Sequence, residues 1–282
     1  MINIRLGKLG TAISWLRQAL ALQRVHGDLR ACADILNRLG NALQRQSDHE
    51  AAIEAHEEAL QLCRTLGDMQ GVANGYNYLG HLLCETGEYS RSAAVLAEAL
   101  TVHGELGSHY GRANALVYFG IAHRELGNFE EAEEATRQAM AIYQRLCIEP
   151  GRADSLNKLG MIHRMRGELA LAEAEHEEAL TIFAGMSDRL GEAEVLNAQG
   201  DLWLAQGQCS QALDRYSRAL EAATQAGNSD QQQHANAGIE RCQRERGKPV
   251  EPSISGSAPC VRPAARRPLR PAPDQLFGRL AS

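Results

Sequence analysis

The sequence predicts an all-α protein, a solenoid of stacked antiparallel helix pairs, and three observations carry that expectation. A glycine recurs every 40 residues, at Gly40, Gly80, Gly120, Gly160 and Gly200. Seven residues after each stands a turn-forming residue: Ser47, Gly87, Gly127, Gly167 or Gly207. The pairs Ala59-Leu60, Ala99-Leu100, Ala139-Met140, Ala179-Leu180 and Ala219-Leu220 keep the same phase. Three registers held in step through five copies mark a repeat architecture. Each unit of such an array is too thin to bury its own apolar face and must stack on its neighbours.

Within the first full unit, Ala31, Ile35, Leu36, Leu39 and Leu43 follow helical spacing to about residue 45. Ser47 marks a turn, and Ala52, Ile53, His56, Ala59, Leu60 and Cys63 then define a second helix. Gly67-Asp68 closes it, because glycine can adopt the left-handed C-cap and aspartate can cap the free N–H groups of the next helix. Gly27-Asp28, Gly107-Ser108, Ser187-Asp188 and Gly227-Asn228 repeat that punctuation. The third-to-fourth junction uses Glu149-Pro150, since proline is tolerated at a helix start.

The phase places five such pairs over residues 29–227. Residues 1–28, with Gly7, Leu9, Ala12, Leu16, Ala19 and Leu20, match only the second half of a unit. Their apolar face lacks the helix that covers it elsewhere. The chain is therefore expected to be a fragment of a longer array or to have a displaced start, and self-association through this uncovered helix is expected. Residues 228–246 form a polar helix candidate suited to capping the last unit, as terminal repeats need a soluble outer face.

The composition agrees with a repeat protein. The chain has 282 residues, 44% hydrophobic and 23% charged, with a net charge of −6. No run approaches the roughly 20 apolar residues of a membrane span, and the start MINIRLGKLG lacks the apolar core of a secretory signal. Seven cysteines without a CxxC pair suggest reduced thiols and a cytoplasmic setting. Seven of eight prolines fall between residues 249 and 273. Residues 241–282 hold nine of the 29 basic and three of the 35 acidic residues, about +6, leaving 20 basic against 32 acidic, −12, before them. Proline at that density cannot sustain helix hydrogen bonds, so 247–282 is expected to be a disordered Pro/Arg-rich tail. Phe277 is its one aromatic residue, and direct nucleic-acid binding is not expected.

The repeated unit resembles the tetratricopeptide repeat family. The second unit carries the pattern as Tyr76, Leu79, Gly80, Leu83, Gly87, Tyr89 and Ala99; the third adds Phe129, Ala132 and Ala139. Ser92 departs from it by replacing the first alanine of the second unit, the usual closing proline is missing, and the period is 40 where 34 is usual. Such extended units resemble those of kinesin light chains, Leu-Gly-Asn repeat proteins and bacterial STAND-type regulators. HEAT-like helices share a similar period, but the Leu-Gly and Ala registers favour the tetratricopeptide pattern. The resemblance covers about residues 7–227 and implies a right-handed superhelical solenoid whose first helices line a concave groove. It also implies a non-enzymatic interaction scaffold holding a peptide or partner segment in that groove. The alternative it implies is a sensor module of a STAND-type regulator, separated from its ATPase and DNA-binding parts.

No catalytic constellation is present in the sequence. His56-Glu57 and His176-Glu177 begin a HExxH zinc motif, but Leu60 and Leu180 stand where the second histidine belongs. The phase of these histidines is shared with Leu96, Thr136 and Tyr216, which points to packing. Neither GxxxxGK[ST] nor GxSxG occurs. No metal or cofactor is expected.

The candidate ligand face lies on the first helices. Asn37, Asn77, Asn157 and Asn197 stand two residues before the recurring leucine or its replacement, with Val117 the exception. Asparagine in a helix costs up to about 0.7 kcal/mol against alanine, so its recurrence asks for a reason. Either the amide hydrogen-bonds a neighbouring helix, or its donor and acceptor clamp the backbone of an extended peptide. Arg38, Tyr78, Tyr118 and Lys158 stand beside these asparagines, Asn41 and His81 one turn on, and Arg124 and Arg164 a turn further. This mixture suits a peptide with acidic and apolar side chains, unless Arg124 and Arg164 are spent on acids such as Glu125 and Glu168.

Overall fold

The computed structural model describes residues 2–246, with side chains for 9–245; the Pro/Arg-rich segment 247–282 lies outside the described residues. Among the described residues there are twelve α-helices and no strand: α1 (Ile2–His26), α2 (Leu29–Arg45), α3 (His49–Leu66), α4 (Met69–Glu85), α5 (Tyr89–Glu105), α6 (His109–Glu125), α7 (Phe129–Arg145), α8 (Glu149–Arg166), α9 (Leu169–Met186), α10 (Arg189–Ala205), α11 (Cys209–Ala226) and α12 (Ser229–Arg246). Each helix packs on the next in sequence. Beyond that, the first helices α2, α4, α6, α8, α10 and α12 touch one another in succession, whereas the second helices α3, α5, α7, α9 and α11 do not. The first helices therefore form the closer-spaced, inner wall of a helical solenoid.

Local chemistry sets the helix ends. Asp28, Asp48, Asp68 and Asp188 each accept a hydrogen bond from the backbone N–H three residues on, at 2.9–3.4 Å. These are the donors that a helix start leaves without intrahelical partners. Gly67 closes α3 with φ +66°. Ser47, Cys147 and Ser187 take the same left-handed turn without glycine, at φ 63°, 55° and 57°, a conformation in which a Cβ crowds the backbone. Pro150 sits in the first turn of α8, where its missing N–H removes no helix bond.

Two glycine registers hold the helices together. Inside each unit, the phase glycine of the first helix meets one bulky residue of the second. A methyl group on Gly40 would lie 2.6 Å from His56 Nε2, on Gly160 2.6 Å from His176 Cε1, and on Gly200 2.5 Å from Tyr216 Cε1. Leu96 fills the same place above Gly80. Between units, Cys63 meets Gly71, His103 meets Gly111, Tyr143 meets Gly151 and Phe183 meets Gly191. The apolar core accordingly runs as successive clusters, such as Leu36, Leu39 and Leu43 with Ala52 and Ala59, and Leu156, Phe183 and Val195 with Ala179.

Glycine inside a helix normally costs roughly 0.5–1 kcal/mol against alanine, so the packed glycines and the open ones should respond in opposite ways. Gly200→Ala drives a methyl into the buried Tyr216 ring and is expected to destabilise by roughly 1–3 kcal/mol in urea unfolding. Gly104→Ala, which meets nothing within 4 Å, is expected to stabilise by about 0.5–1 kcal/mol. Equal responses at the two positions would contradict this packing scheme.

Candidate ligand-binding face

The inner wall carries most of the polar side chains that the sequence singles out, but the protein itself uses many of them. Asn77 Nδ2 donates to the Gly111 carbonyl at 3.0 Å, and Asn197 Nδ2 to the Gln231 carbonyl at 3.1 Å. Both acceptors belong to the next first helix, so these amides bind unit to unit. Asn157 and Asn197 are buried, and Oδ1 of Asn77, Asn157 and Asn197 is buried without a protein partner. Of the two roles open to this ladder, Asn77 and Asn197 perform the structural one. Asn37 differs: half-buried, it accepts at Oδ1 from His56 Nδ1 at 3.2 Å and faces a pocket.

The middle and C-terminal wall is internally paired. His81 stacks on Tyr118 with ring centroids 4.2 Å apart, and its Nε2 lies 3.2 Å from Glu85 Oε1. That hydrogen bond holds the Glu85 carboxyl below the usual carboxylate range. Burial, with Asp154 and other acids nearby, pushes the half-buried Tyr118 phenol well above its usual range. Arg124 is buried and pairs with Glu125 at 2.6 Å. Burial opposes the charge on Lys158, but Asp154 at 3.0 Å and the nearby Glu194 carboxylate hold it in the charged form. Asp201 accepts from Tyr216 Oη at 2.6 Å and pairs with His234 Nε2 at 3.1 Å. Arg164 departs from the expected pairing: it makes no ion pair among the described residues, its Nε is buried without a partner, and Glu168 pairs with Arg166 instead.

The unspent groups gather between α2 and α4. A pocket of about 310 Å³ lies there, lined among others by Arg30, Asp34, Asn37, Arg38, Asn41, Asn74 and Tyr78. The side chains of Arg30, Arg38 and Asn41 make no hydrogen bond or ion pair among the described residues, and Arg30 and Arg38 are exposed. Two guanidinium groups thus face one uncommitted carboxylate, Asp34, because Asp68 is spent capping α4. Tyr78 closes one side and stacks on His56 with ring centroids 5.3 Å apart. Sequence reasoning chose Asn37, Arg38, Asn41 and Tyr78 but missed Arg30, Asp34 and Asn74. The helical spacing of Arg30, Asp34 and Arg38, four residues apart, was the available signal.

The buried histidines are packing groups with an electrostatic consequence. His56 and His176 are fully buried under Gly40 and Gly160, and neither ring nitrogen of His176 has a hydrogen-bond partner. Burial, with His81 beside it, lowers His56 to about 4; burial, with Arg164 nearby, lowers His176 to about 3. No group of three or more histidine, cysteine, aspartate or glutamate side chains among the described residues could hold a metal ion. No described helix is long and apolar enough to cross a membrane.

Because the unfolded chain binds protons at these histidines near pH 6.5 and the folded one does not, their contribution to stability is full above pH 6.5. It is lost as pH falls through 4 and towards 3. Thermal melts between pH 7.5 and 4.5 should show a falling midpoint, and His56→Leu/His176→Leu, which copies Leu96 of the second unit, should flatten that slope. An unchanged slope would assign the acid sensitivity elsewhere.

Comparisons with known proteins agree with this architecture. A tetratricopeptide repeat model matches residues 1–65, 71–145 and 151–225. Similar solved structures include BtubC (BKLC) from P. vanneervenii, 21% identical, covering 94% of this chain and 99% of that one with a TM-score of 0.61. A Rap protein complexed with competence and sporulation factor is 15% identical and covers 87% of this chain and 72% of that one, at a TM-score of 0.60. A putative kinesin light chain with nearly identical TPR-like repeats, from Podosopora anserina, is 16% identical and covers 69% of this chain and 96% of that one, at 0.54. At these identities the likeness concerns the fold. No curated protein matches the sequence.

Proposed function

The chain belongs to the tetratricopeptide repeat family, and from that premise we propose that it is a non-enzymatic scaffold whose inner wall seats a partner protein segment, with an acidic side chain of the partner entering the α2–α4 pocket. The observation that carries this proposal is the set of unspent donors there: Arg30, Arg38 and Asn41 around about 310 Å³. A guanidinium meets a carboxylate with paired N–H groups, the geometry that makes such contacts strong and specific. Tyr78 offers a flat apolar surface beside them, and rigid aromatic and arginine groups are those on which interfaces concentrate binding energy. Asn37 and the half-exposed His81 and Tyr118 continue the seat along the wall. Asn77 and Asn197 act behind it by bonding the next first helix, Asn157 is buried beside them, and Arg124 and Lys158 are engaged by Glu125 and Asp154 of their own helices. Arg164 extends the basic character of the wall towards α10. The Rap structure, a complex with competence and sporulation factor, supports the idea that a protein of this fold can receive a ligand.

The second proposal, a regulatory module of a STAND-type regulator, rests on the 40-residue period alone. A cytoplasmic setting is proposed on the cysteine usage, seven scattered residues without a CxxC pair.

Fluorescence anisotropy against a library of extended peptides bearing acidic and apolar side chains tests the binding seat. Arg30→Ala/Arg38→Ala should leave helicity unchanged and weaken selected peptides at least tenfold, about 1.4 kcal/mol. Lys158→Ala should change affinity less than about threefold, because that ammonium is engaged by Asp154. Full affinity in the double arginine variant would contradict the proposed seat.

A further inference from the structure

The first-helix wall changes charge along the array. Two rows of it stand six and two residues before each phase glycine. On α2 and α4 these rows supply Asp34, Arg38, Asn74 and Tyr78, and all four line the pocket. With Arg30 beside them, the α2 end holds two guanidinium groups against the one uncommitted carboxylate of Asp34. The middle of the rows is uncharged, with Asn74 and Tyr78 on α4 followed by Asn114 and Tyr118 on α6. At α8 and α10 the rows hold Asp154, Lys158 and Glu194, two carboxylates against one ammonium.

Glu194 is the uncommitted member of that second group. It is half-buried, and its side chain makes no hydrogen bond or ion pair among the described residues. The cation acting on it, Lys158, is already bonded to Asp154 at 3.0 Å. Burial, with the charges of Asp154 and Asp188 added, pushes the Glu194 carboxyl above the usual carboxylate range. Its charge also reaches the Tyr118 phenol of α6, which places it on the side of α10 that faces the other first helices. Arg164 does not compensate it. That guanidinium stands ten residues beyond Asp154 on α8, about 15 Å along the helix, where it acts on Asp201. A carboxylate drawn out of water without a bonded cation is costly, and a cation brought by a ligand removes that cost.

On the premise of the α2–α4 seat proposed above, we infer that the partner segment is dipolar: an extended stretch whose acidic side chain enters that pocket and whose arginine or lysine, about eight residues away, reaches Glu194. The spacing follows from the helices. Three intervals between neighbouring first helices, about 8–10 Å each, separate the two ends. An extended chain rising about 3.3 Å per residue covers those roughly 24–30 Å in about eight residues. Charge complementarity then fixes the orientation, because the same segment laid the other way would set like charges opposite each other at both ends. Between the ends, Tyr78 and Tyr118 offer apolar ring faces with polar tips, which suit uncharged side chains.

A displayed peptide library with one fixed central glutamate and ten randomised positions on either side is selected on the full chain. Arginine or lysine is expected to be enriched about eight residues from the glutamate, with uncharged residues between. A selected peptide is then labelled with fluorescein and titrated by anisotropy. Glu194→Gln should weaken it at least fivefold, whereas the same peptide with glutamine in place of its basic residue should bind both chains equally. That equality, with unchanged circular dichroism, shows that the variant keeps its fold and its pocket. No enrichment at that spacing, or a Glu194→Gln effect that is absent or equal for both peptides, would overturn the dipolar assignment even where Arg30→Ala/Arg38→Ala weakens binding. Binding indifferent to the arginine pair, or no selected peptide at all, would overturn the seat and this assignment with it.

Discussion

The close approach of helices over glycine is the constraint on which the rest of the structure depends. A first helix can lie against its second helix only where Gly40, Gly80, Gly120, Gly160 or Gly200 offers no side chain. The opposing helix fills that notch with a histidine, leucine, threonine or tyrosine. The second notch, at Gly71, Gly111, Gly151 and Gly191, does the same between units. Together they fix the distance both within and between pairs, so the array has a defined wall and not merely a hydrophobic interior. The filling residues need only suit the notch in size, which explains how polar histidines and apolar Leu96 occupy one phase. Histidines that fit the notch by shape are then held neutral by burial, and the acid sensitivity expected of the fold is a by-product of packing.

A wall at fixed spacing brings polar groups of successive first helices within reach of each other, and most of them become committed. Asn77 and Asn197 bind the next helix through its backbone, Lys158 neutralises Asp154, and Asp201 collects Tyr216 and His234. Such groups are poor ligand contacts, because a partner would first have to replace a bond already made. The α2–α4 interval is different in kind. Among the described residues its guanidinium groups and Asn41 have no side-chain partners, so a ligand placed there would gain contacts without breaking any. Committed residues hold the seat in shape while uncommitted ones are available to bind.

The architecture was legible in the sequence because three registers recur at one period. Helix pairing follows from the turn residues, and the burial of Ala59, Ala99 and their equivalents follows from phase alone. The between-unit glycines were equally periodic at 71, 111, 151 and 191 but went unread, since Ala31 breaks the series at its start. The candidate face was legible only as a set of helix positions. Sequence spacing places Asn37 and Asn197 alike, but it cannot say that one borders an open pocket while the other is buried on Gln231. That difference arises from how closely α2 and α4 approach, compared with α10 and α12, a tertiary property. Arg164 shows the same limit, since its neighbour Glu168 was taken by Arg166 and His163.

The central claim is that the first-helix wall, at its N-terminal end, is where a partner segment sits. Hydrogen–deuterium exchange of the chain with and without a bound acidic peptide tests it most directly. Slowed exchange concentrated in residues 29–46 and 69–86, with the second helices unchanged, is the result this account predicts. Slowing that falls instead on the second helices α3, α5 and α7 would contradict it.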